Sequence, residues 1–237
     1  MLSFDEIQLL NEKMESQSPP EIVAWASRHF GADLALASSF GAEDMVLLDL
    51  LLKADPGGRV FVLDTGRLNQ ETYDVIEAAR ARYGRGFELF APRTEALEAL
   101  LSEQGPNGFY ASVDARHGCC HVRKVEPLAR ALATAQAWIT GQRRSQSVTR
   151  AHLRFAERDM EHGGILKLNP LAAWSEAQVW DYIRLHDLPT NALHAQGYPS
   201  IGCAPCTRAV APGEDIRSGR WWWEQPEHRE CGLHRNT

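Results

Sequence analysis

The residues best suited to chemistry in this sequence are its five cysteines. Four fall into two groups, Cys119-Cys120 and Cys203-Ala204-Pro205-Cys206, which together supply four thiolate donors. One tetrahedral zinc ion requires both sulfurs of a pair to converge on a point. A C-x-x-C turn does this well and adjacent residues do it badly, because neighbouring Cα atoms are about 3.8 Å apart and their side chains diverge. An iron–sulfur cube gives each cysteine its own iron, so diverging sulfurs are acceptable. The pattern favours one four-iron (4Fe-4S) cluster, with a zinc ion and a redox disulfide as the alternatives. Cys231 is left over, in Glu230-Cys231-Gly232-Leu233-His234-Arg235. The bases His228, Arg229, His234 and Arg235 favour its thiolate, opposed in part by Glu227 and Glu230. A nucleophile is one role for it, and an incidental exposed thiol the other.

A second chemistry is anion binding. Only four of the 25 basic residues are lysines, and the planar guanidinium fork suits phosphate and sulfate. Genomic base composition accounts for the overall bias equally well, so placement decides. Arg143 and Arg144 follow a strand end in Gly141-Gln142-Arg143-Arg144-Ser145-Gln146-Ser147, where anions bind. Arg150, Arg154 and Arg158 extend the run beside Glu157 and Asp159, and a solvated helix face is the alternative for Arg154 and Arg158. Ser38-Ser39-Phe40-Gly41-Ala42 offers two hydroxyls and backbone N–H groups at a helix start, as a phosphate cradle requires, although serine there is often only a cap. It is not a Walker loop, lacking Gly-Lys-Ser/Thr. Asp64-Thr65-Gly66-Arg67 ends another strand and could hold a nucleoside edge.

These segments need elements to position them. Ser3 with Glu6, and Ser18 with Glu21 behind Pro19-Pro20, read as capped helix starts, the second helix stopping near Gly31. Strand patterns cover 34–37, 59–63, 87–90 and 137–140, with a fifth at 165–168. Helical patterns cover 43–53, 70–83, 94–101, 118–133 and a helix capped by Ser175 and Gln178 that ends near His186. Gly105 to His117 is polar and reads as a mobile segment. Strand and helix alternate, which predicts an α/β fold with a doubly wound, mostly parallel sheet. After Pro189 the regular pattern fades into an irregular tail that holds Trp221-Trp222-Trp223. The expected division is N-terminal helices at 1–32, a nucleotide-binding and iron–sulfur α/β domain at 33–210, and a mobile tail at 211–237.

Composition bounds the function. With 237 residues, 44% of them hydrophobic, the chain can bury a full core without disulfides. A net charge of −6 argues against a general binder of nucleic acids or membrane surfaces. No apolar run approaches the roughly 20 residues of a membrane span. The start, Met1-Leu2-Ser3-Phe4-Asp5-Glu6, is acidic where a targeting segment would be basic, so a cytoplasmic location is expected.

Taken together, Ser39-Phe40-Gly41-Ala42-Glu43-Asp44, Leu63-Asp64-Thr65-Gly66-Arg67, the Cys119-Cys120 to Arg123-Lys124 segment, Cys203-x-x-Cys206 and Glu230-Cys231-Gly232-Leu233-His234 resemble the assimilatory adenylylsulfate (APS) reductases, cousins of the phosphoadenylylsulfate (PAPS) reductases. The resemblance spans about residues 33–237. It implies an adenine nucleotide alpha hydrolase-like fold related to the ATP pyrophosphatases, a 4Fe-4S cluster on Cys119, Cys120, Cys203 and Cys206, and Cys231 as nucleophile. The implied reaction has Cys231 attack the sulfur of APS and expel AMP, after which thioredoxin releases sulfite from the S-sulfonate, for cysteine biosynthesis. Lys124, Arg217 and His234 are the implied cations for the transition state. Ser38, Ser39, Phe40, Gly41 and Leu63 would meet adenine and ribose, with Gly141, Arg143 and Arg144 near the phosphate. Arg220 would bind phosphosulfate, a surface role being its alternative. The rival functions are the same reaction on PAPS, an ATP pyrophosphatase that transfers sulfur, and a non-enzymatic iron–sulfur sensor. The expected partners are APS and thioredoxin, with a homo-oligomer left open.

Overall fold

The computed structural model describes residues 2–147 and 150–225. Helices α1 (Phe4–Met14) and α2 (Pro19–Phe30) start at the two caps expected of them. The Ser3 hydroxyl accepts the Glu6 amide while Glu6 takes the Ser3 amide, and Glu21 reaches back to both the amide and the hydroxyl of Ser18. There follow β1 (Leu34–Ala37), α3 (Ala42–Ala54), β2 (Arg59–Leu63), α4 (Gln70–Tyr83), β3 (Glu88–Phe90) and α5 (Thr94–Gln104). Helices α6 (Val113–Cys120) and α7 (Glu126–Leu132) flank a π-helical stretch, His121–Val125. The remaining elements are β4 (Ala137–Ile139), β5 (Ala156–Asp159), β6 (Ile165–Leu168) and α8 (Glu176–Leu185), the last opened by the expected Ser175 and Gln178 box.

The six strands form one sheet in the order β3-β2-β1-β4-β6-β5. β1 pairs in parallel with β2 and β4, and β4 with β6, so Leu36 stands opposite Val60 on one side and Ile139 on the other. β1 and β4 are apolar without alternation because both of their faces are buried, whereas β6, beside the edge, alternates and carries Lys167. α3 is buried almost all round, from Met45 to Leu48 and from Leu50 to Leu52, as a helix without a polar face must be. The α/β, mostly parallel fold expected from the sequence is the one found.

Two expectations about elements need correction. The strand at 165–168 is the sixth, because Ala156–Asp159 forms an antiparallel edge strand against it where a helix face for Arg158 was weighed. Residues 113–117, expected in a mobile segment, begin α6, whose N-terminus is capped when Ser112 accepts the Ala115 amide at 3.0 Å.

The described chain packs as two compact units. The first comprises the residues up to 62 with 75–88 and 132–191, and the second 63–74 and 89–131 with the residues from 192. Among the described residues no helix is long and apolar enough to cross a membrane.

Candidate active site

In the first unit the chain winds outward from β1 and resumes at β4 beside it, so the loops that leave these two strands meet at a switch point, where open parallel sheets bind ligands. Ser38, Ser39, Phe40 and Gly41 form the loop after β1. The Ser38 amide continues the ladder to the Phe61 carbonyl, and the Ser38 hydroxyl accepts the Phe40 amide at 3.1 Å. Phe40 sits at φ 57, a conformation costly for a residue with a Cβ, and its buried ring packs 5.3 Å from Phe87. Gly41 caps α3. Asp44, in the first turn of α3, accepts both the amide and the hydroxyl of Ser39 at 2.6 Å, which fixes the loop's path. Burial pushes its carboxyl up to about 6, against the pull of the Ser39 and Gly41 hydrogen bonds.

The loop after β4 approaches this turn closely. A Cβ on Gly141 would lie 2.5 Å from Asp44 Oδ1, so only glycine fits without displacement. Arg143 and Arg144 stand beside it, each with a carboxylate of its own. Arg143 is buried and pairs with Glu43, donating from Nε at 2.9 Å and from Nη2 at 2.7 Å, and it also donates to Ser145 Oγ at 2.6 Å. Arg144 donates to the Leu153 carbonyl and to Glu15, and lies over the Phe155 ring. Gln146 joins the two loops by donating to Glu43 Oε1.

The second unit gathers the cysteines. Cys203, Cys206, Phe109 and Trp221 form one buried cluster, against which Cys119 and Trp223 pack. None of the four described cysteines is in a disulfide. The C-x-x-C segment is tied down by its backbone: the Cys206 amide donates to the Cys203 carbonyl and the Ala204 amide to that of Arg67. Thr65 Oγ1 lies 3.3 Å from Cys203 Sγ. Arg123, buried beside it, donates to the Thr65 carbonyl, which holds the turn after β2 to the π-helical stretch. Leu63 stands half-buried at the start of that turn. Burial and the neighbouring Cys203 push the Cys206 thiol up to about 12, opposed by Lys124 and Arg220. Cys119 is also raised by burial, with Arg123 and Lys124 pulling the other way.

Arg220 is 7% exposed, which removes the surface role; its guanidinium lies 4.7 Å from the Trp221 ring centre and would meet any Cβ on Gly202. Arg217 is half-buried on the segment before it, and Lys124 half-buried in the π-helical stretch. Cys231 and His234 lie outside the described residues. Three buried charged residues were not singled out for a role by the sequence: Asp44, Arg116 and Glu224. Their signal was weak, since each becomes informative only through a partner outside its own motif or at its far end.

Whether these residues suit an iron–sulfur cluster can be tested on them. The donors are four thiols from two segments, none of them in a disulfide, and Arg116, Arg123, Lys124 and Arg220 interact with one or more of them, as an anionic group requires. The buried Trp221 Nε1 has no hydrogen-bond partner, which leaves an indole N–H available to an acceptor within the cysteine cluster. Among the described residues, no three or more Cys, His, Asp or Glu donors close on a single ion position. The donor set fits.

The chain matches the phosphoadenosine phosphosulfate reductase domain family over residues 33–209. It is 56% identical over 201 residues to adenosine 5'-phosphosulfate reductase of Burkholderia cepacia, covering 85% of this chain and 80% of the relative. With the same enzyme of Allochromatium vinosum it shares 55% identity over 202 residues, 85% of this chain and 78% of the relative. The crystal structure of phosphoadenylyl-sulfate (PAPS) reductase from Candida auris in its phosphate complex superposes with a TM-score of 0.75 at 32% identity, covering 89% of this chain and 98% of that one. Sequence motifs, strand order and these likenesses agree: the chain belongs to the phosphoadenosine phosphosulfate reductase domain family.

Proposed function

We propose that this protein reduces adenylylsulfate to sulfite and AMP at the expense of thioredoxin, as a cytoplasmic step of sulfate assimilation. The observation that carries the proposal is the packing of Cys119 against the buried cluster of Cys203, Cys206 and Trp221, with the next residue, Cys120, also buried, in a chain whose near relatives are named adenosine 5'-phosphosulfate reductase. Cys119, Cys120, Cys203 and Cys206 would hold one 4Fe-4S cluster. When bound, the cluster supplies negative charge and a rigid cross-link between the two cysteine segments.

The chain's own residues then divide the work. The Cys231 thiolate attacks the sulfur of APS; the new S–S bond forms as the S–O bond to AMP breaks, and AMP leaves with that electron pair. Thiolate and sulfate repel, so the barrier falls only where cations meet the charge gathering on the sulfuryl oxygens, and Lys124, Arg217 and His234 have that role. Thioredoxin then attacks Cys231 Sγ of the S-sulfonate. Sulfite leaves, the resulting mixed disulfide is resolved by the second thioredoxin thiol, and both electrons come from the dithiol. Ser38, Ser39, Phe40, Gly41, Leu63 and Gly141 serve the nucleotide, and Arg220 the phosphosulfate. Arg143 and Arg144, each already bonded to a carboxylate, serve the phosphate by holding the loop after β4 in shape.

The test uses anaerobically purified protein and radiolabelled APS without thioredoxin. Label should stay on the wild-type protein and be absent from Cys231→Ser, with sulfite appearing only on addition of thioredoxin. Equal labelling of the two proteins would refute the mechanism. The likeness to the Candida auris PAPS reductase supports a second reading, the same chemistry on the 3′-phosphorylated nucleotide. The paired cysteines favour APS, and relative turnover of the two nucleotides decides.

A further inference from the structure

Arg116 takes no part in the chemistry above, yet it is 0% exposed. Burying a guanidinium is costly unless its charge and donors are met. Here Nε donates to Glu224 Oε1 at 3.0 Å and Nη2 to Oε2 at 2.7 Å, a two-pronged pair between side chains 1% and 4% exposed. The guanidinium also lies over the Trp221 indole, 4.8 Å from the ring centre. Cys120 stands one helical turn further along α6, on the same face, so that the Arg116 guanidinium and the Cys120 sulfur act on each other electrostatically.

One side chain therefore shares a helix face with a cysteine of the first pair and contacts the ring packed on the second pair and a carboxylate 108 positions downstream. That carboxylate lies at the root of the segment that carries Cys231. Cys231 follows Glu224 by seven positions in the sequence. A neutral pair of similar shape would fill the space as well. What the ion pair adds is a rigid connection between the cysteine helix and the root of the tail.

We propose that Arg116, held by Glu224, is a positioning residue that orients the Cys120 sulfur and couples the cysteine helix to the segment bearing Cys231. The inference rests on Cys120 being a cluster ligand, as argued under the proposed function. Hydrogen-bond partners of metal ligands are worth about tenfold to a hundredfold in metal retention.

The experiment compares anaerobically purified wild type, Glu224→Gln, Arg116→Lys and Asp159→Asn. The last breaks a buried contact to Trp138 and His162 in the sheet unit and so reports general destabilisation. Three quantities are read: iron release to a chelator, iron–sulfur stretching bands by resonance Raman, and the rate of Cys231 alkylation by iodoacetamide, located by mass spectrometry. Glu224→Gln and Arg116→Lys are expected to lose iron about tenfold faster, to shift the stretching bands, and to alkylate Cys231 several-fold faster, while Asp159→Asn matches wild type in all three. Variants that melt earlier but keep wild-type iron release, bands and alkylation would overturn the proposal, leaving the pair a support of the fold alone. Wild-type protein without iron would instead refute the cluster reading and this proposal with it, an outcome recognised from the wild-type iron content before any variant is compared.

Discussion

Asp44 accepts two hydrogen bonds from Ser39, yet its pKa is pushed up to about 6 because burial outweighs those donors. An unfolded aspartate titrates near 3.9, so the folded protein holds this proton more tightly. The stability contributed by the group is therefore full below about pH 4 and is lost as pH rises to about 6, by at most about 3 kcal/mol. Asp44→Asn keeps an acceptor for Ser39 and removes the charge. Urea unfolding should show the stability of wild type relative to Asp44→Asn falling by about 2–3 kcal/mol between pH 4 and pH 7; a constant difference would mean the carboxylate titrates normally. The sequence exposes the Ser39 to Asp44 motif but not this burial. The same blindness affects Arg143 and Arg144, whose position after a strand was visible while their carboxylates, 100 and 129 positions away, were not.

Elements built on local pattern were open to reading: β1, β2 and α4 have the limits their periodicity gives, and α1, α2 and α8 start at their capping residues. β5 was not, since Ala156-Glu157-Arg158-Asp159 has little apolar character and owes its extended form to β6 and to Asn11, which both donates to and accepts from the Ala156 backbone. The available clue was Gly163-Gly164, both at positive φ, between two short segments. The π-helical stretch was equally hidden, because nothing local distinguishes it from an α-helix. A π segment acts as one extra residue in the helix and sets how Arg123 and Lys124 face relative to Cys119 and Cys120. Deleting Val122 should restore α periodicity and rotate those two cations by about 100°. We expect unchanged helical circular dichroism with most of the bound iron lost; full iron content in the deletion protein would mean that the π segment has no part in the site.

The two compact units differ in what holds them together. The sheet unit has short apolar central strands and a helix buried almost all round, an arrangement that local hydrophobicity encodes. The second unit is mostly short helical turns and irregular chain, and its centre is a cluster in which two of the four buried residues are cysteines. A site of this kind is encoded by residues far apart in sequence, which is why the cysteine spacing revealed it and periodicity did not. Burial raises the Cys206 thiol to about 12 and raises that of Cys119, so their thiolates become favourable when a cation shares them. Binding that depends on the folded arrangement stabilises the folded arrangement, and here the stabilisation acts on the unit that holds the donors. Removal of iron by a chelator under anaerobic conditions should then act unevenly. Hydrogen exchange should speed up at amides of 119–125 and 203–207 by about tenfold or more, the factor that each 1.4 kcal/mol of lost local stability implies. Amides of β1, β2 and β4, whose ladders carry no cysteine, should keep their protection. Equal loss of protection in both units would show that the sheet depends on the metal for its fold, and unchanged protection at 203–207 would show that these cysteines do not bind it.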